Sequence, residues 1–461
     1  MVEPELSSLP AIFKAYDVRG TVPDQLDDVL IERIGAAFAA FVARDPSTHG
    51  TVLIGRDMRP SGVGLSAAFA RGVNGQGLDV VDLGLASTDL VSFAAGRYDM
   101  PAAMLTASHN PAEYNGIKMC LAGARPLGED TGLFEIRDLA IAGVGPAPTT
   151  GTVTERDALA EFAAHVHSFV DLDRLAPLKI VADTANGMGG LVAPAVFAGL
   201  PFELEIMYGE LDGTFPNHEA NPIQPENLVD LQARVLEVGA DVGLAFDGDA
   251  DRVFLVDDQG ALVSGSLTTA IVAASMLEKH PGATILHNLI CSKAVPEVIL
   301  ERGGTPIRTK VGHSFIKSVM AETGAAFGGE HSGHYYFRDN YRADSGIIAA
   351  LVVLEALSKA GVPLSELRRP FERYADSGEI NTKVSSPSGV IDQVAAHFAD
   401  AHQDRLDGLT VDLGDWWFNL RASNTEPLLR LNLEAPTTAA CAERVAEVRD
   451  LIAQADAAVG A

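Results

Sequence analysis

The sequence predicts an α/β protein made of three consecutive α/β blocks followed by a separate C-terminal α+β unit. Three observations lead there. Short β-branched runs alternate with longer alanine-rich amphipathic stretches through the first three quarters of the chain, the pattern of buried strands covered by helices. The segment 143–152 (GVGPAPTTGT) is rich in Gly, Pro and Thr and reads as a linker, after which the alternation restarts. From about Phe371 the order changes to two strand-like runs and a closing helix. A chain of 461 residues is also several times the size of one hydrophobic core, so about three or four compact units are expected.

In the first block, residues 51–54 read as a strand, 64–74 as a helix and 79–83 as a strand. The second block opens with a strand over 178–182. The third begins after the turn Asp257-Asp258-Gln259-Gly260, with a helix over 267–278, a strand over 284–286 and a helix over 347–359. The last unit has strand-like runs around 416–420 and 428–433 and a helix over 439–453. The domain boundaries that follow are 1–150, 151–256, 257–370 and 371–461. The blocks share no residue-level repeat, so their likeness rests on alternation alone.

Composition bounds the function. Hydrophobic residues make up 47% of the chain and charged residues 21%, an ordinary globular balance. A formal net charge of -28 opposes non-specific binding to nucleic acid or an anionic membrane, so an anionic ligand must be met by a locally basic pocket. Cys120, Cys291 and Cys441 are scattered, odd in number and lack metal-ligand spacing, which points to a reducing compartment. The first ten residues carry acids and prolines instead of a basic start and an apolar run, and no uncharged apolar stretch is long enough to span a bilayer. The cytoplasm is the expected location.

Four loops carry chemistry. Thr106-Ala107-Ser108-His109-Asn110-Pro111 follows the apolar run 102–105, which places the Ser108 hydroxyl where a strand gives way to a loop. These residue types also suit an ordinary turn. The hydrolase elbow G-x-S-x-G is absent. His109, together with Lys118 ten residues beyond Ser108, offers positive charge and proton transfer beside a phosphorylated Ser108. Asp247-Gly248-Asp249-Ala250-Asp251-Arg252 follows the apolar run 242–246, and in extended backbone residues two apart share a face, so three carboxylates converge at a spacing suited to one hard cation. An EF-hand would need glycine where Arg252 stands. Three protein oxygens leave an octahedral magnesium short of ligands, and phosphate and water are what such a site recruits.

The third loop, Gly328-Gly329-Glu330-His331-Ser332-Gly333-His334, combines an acid and a hydroxyl able to bond sugar hydroxyls with glycines that let backbone approach a ligand. Its two histidines have no Cys or third His nearby, so a zinc set is incomplete. The fourth, Arg421-Ala422-Ser423-Asn424-Thr425-Glu426-Pro427, assembles a guanidinium, two hydroxyls and an amide, a dense donor set for one phosphate dianion.

Taken together, in this order and across the whole chain, the four loops resemble those of the α-D-phosphohexomutase superfamily, most closely its bacterial phosphomannomutase/phosphoglucomutase branch. The resemblance implies three similar α/β domains with mixed sheets plus a C-terminal α+β domain, arranged around a central cleft. It implies Ser108 as the phosphoserine; Ser108, Asp247, Asp249 and Asp251 as ligands of Mg2+; and His109, Lys118, Arg19 and Arg252 as catalytic residues. Glu330, His331, Ser332, Gly333 and His334 would bind the sugar, and Arg421, Ser423, Asn424 and Thr425 the phosphate that is not reacting. Lys14-Ala15-Tyr16-Asp17-Val18-Arg19-Gly20 and Lys310-Val311-Gly312-His313-Ser314 fit the same resemblance and add Tyr16, Lys310 and His313 to the substrate cleft. Two departures stand out. Glu426 puts an acid beside the phosphate loop, and Ile290 stands where some relatives carry lysine, leaving that contact missing or supplied by Lys293.

The implied reaction interconverts hexose 1-phosphate and hexose 6-phosphate, with mannose the preferred sugar and glucose also accepted, through a hexose 1,6-bisphosphate that also serves as activator. Its partners would be small sugar phosphates, with no nucleic acid and no membrane. A phosphoglucosamine mutase, a non-catalytic sugar-phosphate sensor and a calcium-binding structural protein are the alternatives. His109, Arg19 and His334 all remain candidates for proton traffic or orientation.

Overall fold

A computed structural model describes residues 9–45, 48–422 and 428–459, with the side chain of His313 outside the description. The chain folds around four sheets. In the first, the parallel strands Ala102–Leu105, Thr51–Arg56, Asp79–Leu85 and Val153–Glu155 lie side by side, and Tyr114–Leu121 and Val18–Thr21 extend the sheet antiparallel beyond Ala102–Leu105. The second sheet runs Phe202–Met207, Leu178–Asp183, Val242–Phe246, Val253–Asp257 and Leu262–Val263. The third runs Thr305–Thr309, Thr284–Asn288, Phe327–Gly329 and Tyr335–Phe337.

One motif recurs in all three. A central strand has a parallel neighbour on each side, and the second of these is bordered by an antiparallel strand. The common topology is therefore real, although the sequences hold no repeat. Its consequence is functional: the connection from the second parallel neighbour into the antiparallel strand carries residues 106–113 in the first block, 247–252 in the second and 330–334 in the third. Three of the four chemistry-bearing loops thus occupy equivalent positions at the carboxyl ends of parallel strands, where open α/β sheets bind ligands.

The strands read well from the sequence because they are buried on both faces. Val242–Phe246 is buried at every position, which requires a continuous apolar run. The helices Gly265–Lys279 and Gly346–Ala360 begin at Ser264 and Ser345, whose hydroxyls accept from the backbone N–H groups of Leu267 and Ile348. These helices are buried nearly all round, because one core runs through the three blocks: Phe93 of the first, Phe162 and Val196 of the second, and Ile271 and Leu351 of the third belong to a single cluster. Among the described residues, no single helix is long and apolar enough to cross a membrane.

Sheet pairing shifts two expected boundaries. Val153–Glu155 hydrogen-bonds to Asp79–Leu85, so the chain leaves the first sheet after residue 155 instead of 150. Leu262–Val263 pairs with Val253–Asp257, which carries the second block past 256. The last unit has its own core, including Phe418, Leu431 and Val448, under an all-antiparallel sheet with the helices Pro387–His397 and Thr438–Val459. It is joined to the third block through Lys293, whose N–H donates to Glu434 (2.9 Å) and whose amine donates to the Gly414 carbonyl (2.9 Å) and pairs with Asp412. Lys293 is thus engaged in the joint between the third block and the last unit.

Candidate active site

Ser108 is buried, with left-handed backbone (φ +52°), and its hydroxyl donates to Asp247 Oδ2 at 2.8 Å. The first and second loops therefore meet at the residues the sequence singled out. Gly248 makes the approach possible: a Cβ there would lie 2.5 Å from the Ser108 carbonyl oxygen.

Asp247, Asp249 and Asp251 are all buried, and one oxygen from each falls within 4.8 Å of the others. Lys118, on Tyr114–Leu121, donates to Asp249 Oδ2 (2.7 Å) and Asp251 Oδ2 (2.6 Å). Burial lowers the Lys118 pKa, but the two carboxylates outweigh it and hold the amine charged. Burial and the neighbouring Asp249 and Asp251 push the Asp247 carboxyl up, so the triplet is short of positive charge even with Lys118 in place. Asp249 Oδ1 and Asp251 Oδ1 are buried without a hydrogen-bond partner among the described residues. Buried acids with orphaned oxygens and a surplus of negative charge fit a bound hard cation.

Cations and imidazoles surround the triplet. Arg252 contacts Asp247 Oδ2 through Nε (3.4 Å) and donates from Nη2 to His109 Nδ1 (2.9 Å). Burial, then Arg252 and Arg19, hold His109 well below its ordinary pKa, which leaves the ring neutral. Arg19 bridges Asn110 Oδ1 (2.7 Å) and Asp17 Oδ2 (2.6 Å). His334 reaches the same place because Arg252 and His334 form a β-bridge that ties the second loop to the third. Its Nδ1 lies 2.8 Å from Asp344 Oδ2 and 3.7 Å from Asp251 Oδ1. Burial and Arg252 lower the His334 pKa, yet Asp251 and Asp344 outweigh them and the net shift is upward. Tyr16, Lys118, Asp251 and His334 line one cavity.

The rest of the third loop packs against the second and third blocks. Glu330 is buried, accepting from the Tyr336 hydroxyl (2.6 Å), Asn288 Nδ2 (3.1 Å) and the Gly312 N–H (3.3 Å). Gly333 has φ +85° and packs against Phe254, where a Cβ would lie 2.5 Å from the ring. Ser332 is half-buried, and His331 Nδ1 contacts the Ser266 hydroxyl at 3.1 Å. Burial lowers the His331 pKa against the opposing pull of Asp376 and Glu379 in the last unit. Lys310 is exposed, its amine 5.5 Å from the Phe315 ring centre, and His313 starts the helix His313–Thr323. In the last unit Arg421 is nearly buried, donates to Glu379 Oε2 (3.2 Å) and has no hydrogen-bond partner for its Nε among the described residues. Ser423, Asn424, Thr425 and Glu426 lie outside the described residues.

Sequence reasoning missed several residues of this site. Thr88, at the start of the helix Thr88–Arg97, donates its hydroxyl to Asp249 Oδ2 at 2.5 Å. Asp344 orients His334 and also pairs with Lys317 at 2.9 Å. Neither stands in a recognisable motif, and both arrive by long-range packing. Arg59 was also missed, although Asp57-Met58-Arg59 puts an acid and a base directly after a buried strand, a legible signal.

A hydroxyl facing a buried carboxylate triplet, ringed by cations and repeated loop positions, defines a metal-assisted phosphoryl-transfer protein. Models of the phosphoglucomutase/phosphomannomutase family match the chain in sequence order: alpha/beta/alpha domain I at residues 10–142, domain II at 160–260, domain III at 264–374 and the C-terminal domain at 379–451. A protein of Xanthomonas campestris named phosphohexose mutases is 41% identical over 452 residues, covering 96% of this chain and 99% of its own. The phosphomannomutase of Salmonella montevideo is 40% identical, covering 92% and 94%. The crystal structure of a phosphoglucomutase/phosphomannomutase family protein from Burkholderia thailandensis superposes with a TM-score of 0.87 at 32% identity, covering 96% of this chain and 97% of that one. The chain belongs to the phosphoglucomutase/phosphomannomutase family and is a phosphohexomutase, an intramolecular phosphotransferase acting on sugar phosphates.

Proposed function

We propose that Ser108 is the phosphoryl carrier, that the cation held by Asp247, Asp249 and Asp251 is Mg2+, and that the substrates are mannose and glucose phosphates exchanged through a 1,6-bisphosphate. The observation that carries this reading is the 2.8 Å hydrogen bond from Ser108 Oγ to Asp247, which sets the acceptor oxygen at the edge of the carboxylate triplet. When bound, Mg2+ supplies positive charge to the phosphate at Ser108.

In the first transfer, O6 of a hexose 1-phosphate attacks phosphorus on phospho-Ser108. The P–Oγ bond breaks and a P–O6 bond forms, while the O6 proton leaves and Oγ gains one, which it gives up again when it attacks in the second transfer. The bisphosphate then turns round. In the second transfer, Ser108 Oγ takes the phosphoryl group from O1, the P–O1 bond breaks and O1 gains a proton, so no water is consumed. Lys118 and Arg252 stabilise charge on the transferring group. His109, Arg19 and His334 orient the reacting hydroxyl or move its proton; Asp344 holds His334 in register for this. Arg421, Ser423, Asn424 and Thr425 hold the phosphate at rest, with Arg421 exchanging Glu379 for it. Glu330, His331, Ser332 and Gly333 read the sugar, Glu330 by releasing its longest contact, the Gly312 N–H. Tyr16, Lys310 and His313 line the approach. The free thiols fit a reducing cytoplasm.

Assaying mannose, glucose and glucosamine 1-phosphates side by side, with and without Mg2+, tests the reading. Mannose and glucose phosphates should turn over only with the cation. Turnover confined to the glucosamine phosphate would replace the substrate assignment with a phosphoglucosamine mutase. Binding without turnover of any of the three would replace the enzyme with a sensor.

A further inference from the structure

Among the described residues the largest fully buried side chain is a charged one, Arg59. All of its donors are used. Nε donates to Asp57 Oδ2 (3.2 Å), Nη1 to the carbonyls of Pro111 (2.6 Å) and Tyr114 (2.9 Å), and Nη2 to the carbonyls of Ser108 (3.0 Å) and Asn110 (2.6 Å). A guanidinium has five N–H groups, and each has an acceptor here. Three of those acceptors are backbone carbonyls of the loop that presents Ser108, and a fourth, Tyr114, begins the strand that follows it.

The partner of this guanidinium is fixed in turn. Asp57 Oδ1 accepts from the Arg59 N–H (2.9 Å), and Oδ2 accepts from the Thr106 hydroxyl (2.7 Å), whose oxygen accepts from the Ser108 N–H (2.9 Å). Ser108 is thus held from both sides, its N–H by Thr106 and its carbonyl by Arg59. Support is needed there, because a serine at φ +52° occupies a backbone region that non-glycine residues rarely adopt. The second block closes over the frame. The Phe215 ring lies over the guanidinium, 5.1 Å from its centre, and Gly213 packs so tightly that a Cβ would lie 2.5 Å from Arg59 Cα. Arg59 therefore touches the elements that carry both the acceptor and the cation site, without reaching the triplet.

We infer that Arg59, locked by Asp57 and Thr106, is a positioning residue that holds the Ser108 loop in the one conformation from which its hydroxyl meets Asp247. The inference rests on Ser108 being the phosphoryl carrier. Lysine cannot take this part, since an ammonium is a point charge with three donors and no planar fork.

The test measures Ser108 loading in a single turnover, with glucose 1,6-bisphosphate as donor, alongside steady-state kinetics. Arg59→Lys should load Ser108 and turn over about 100-fold more slowly per folded molecule, the cost expected of roughly 1 Å of misplacement. KM should stay within about threefold, because the sugar and phosphate contacts lie elsewhere. Thr106→Val keeps the shape and the charge pair but frees the Ser108 N–H, and should slow loading and kcat together by about tenfold. If Arg59→Lys does not fold, Thr106→Val decides alone. A purely structural frame would lower the melting temperature of these variants and leave the loading rate per folded molecule unchanged, and that result overturns the inference. Absence of phosphate on wild-type Ser108 would overturn the carrier reading beneath it, whereas normal wild-type loading with normal variant loading overturns only the role of Arg59.

Discussion

Lys118 Nζ lies 2.7 Å from Asp249 Oδ2, so the first sheet supplies both the acceptor serine and the counter-charge of the acids that face it. The same amine is shared with Asp251, and a cation entering the triplet finds the other oxygen of each of these two acids without a hydrogen bond among the described residues. The expected variant is Lys118→Met. Removing one member of a buried pair costs about 3–5 kcal/mol, and bound cation offsets part of that loss. Melting curves with chelator and with Mg2+ should show a larger Mg2+-induced rise in the variant than in the wild type, while activity falls in both media. Equal rises would show that Lys118 and the cation do not share the triplet.

Gly248→Ala tests the contact between the two loops. The added Cβ would come 2.5 Å from the Ser108 carbonyl oxygen, which is backbone and cannot swing aside. The loops must separate, and a shift of roughly 1 Å lowers kcat by about 100-fold. Far-ultraviolet circular dichroism should be unchanged. Wild-type kcat would show that the loops tolerate a wider spacing than the structure has.

Much of this was legible before any coordinates. The strand over 242–246 matches its expected bounds because it is apolar throughout; the following triplet converges as expected, but through a turn, with Ala250 at φ +61° and its N–H on the Asp247 carbonyl (3.1 Å), and not through the extended period-2 backbone the sequence suggested. The nine-residue strand Ala375–Lys383 (ADSGEINTK) escaped notice because it is an edge strand, exposed along one face, with few apolar residues to mark it. Thr88 and Asp344 escaped for a different reason: Thr88 meets a neighbour 161 residues away, and Asp344 reaches His334 because the chain turns back to bridge Asp344 with Tyr336. The shared topology of the three blocks lies in strand order, which residue-by-residue similarity does not record.

Arg421→Ala addresses the last unit. The side chain is nearly buried, with one nitrogen lacking a hydrogen-bond partner among the described residues and Glu379 holding another. Loss of a charge-assisted phosphate contact costs about 1.5–3 kcal/mol of binding, read as a rise in KM for hexose 1-phosphate. Unchanged KM and kcat/KM would remove Arg421 from the substrate path.

Asp89 gives a pH dependence at the joint between the first and third blocks. It is fully buried, accepts from the Ser345 hydroxyl (2.6 Å) at the start of Gly346–Ala360, and so links the first block to the third. Burial pushes its pKa up to about 7, from an ordinary 3.8. A folded value above the unfolded one means that its stabilising contribution is complete below the unfolded pKa and is lost as pH rises through the folded one. Asp89→Asn cannot ionise, so its melting temperature should gain on the wild type as pH rises from about 4 to about 7. A constant difference across that range would show that Asp89 does not titrate there.

The central claim is that phosphate travels on Ser108, and peptide mass spectrometry of protein exposed to glucose 1,6-bisphosphate tests it most directly. One phosphate should appear on the peptide containing Ser108, persist while hexose 1-phosphate turns over because the second transfer restores it, and be absent from Ser108→Ala, whose turnover should collapse while it still binds substrate. A fully active preparation, caught during turnover, with no phosphate on that peptide would contradict the account.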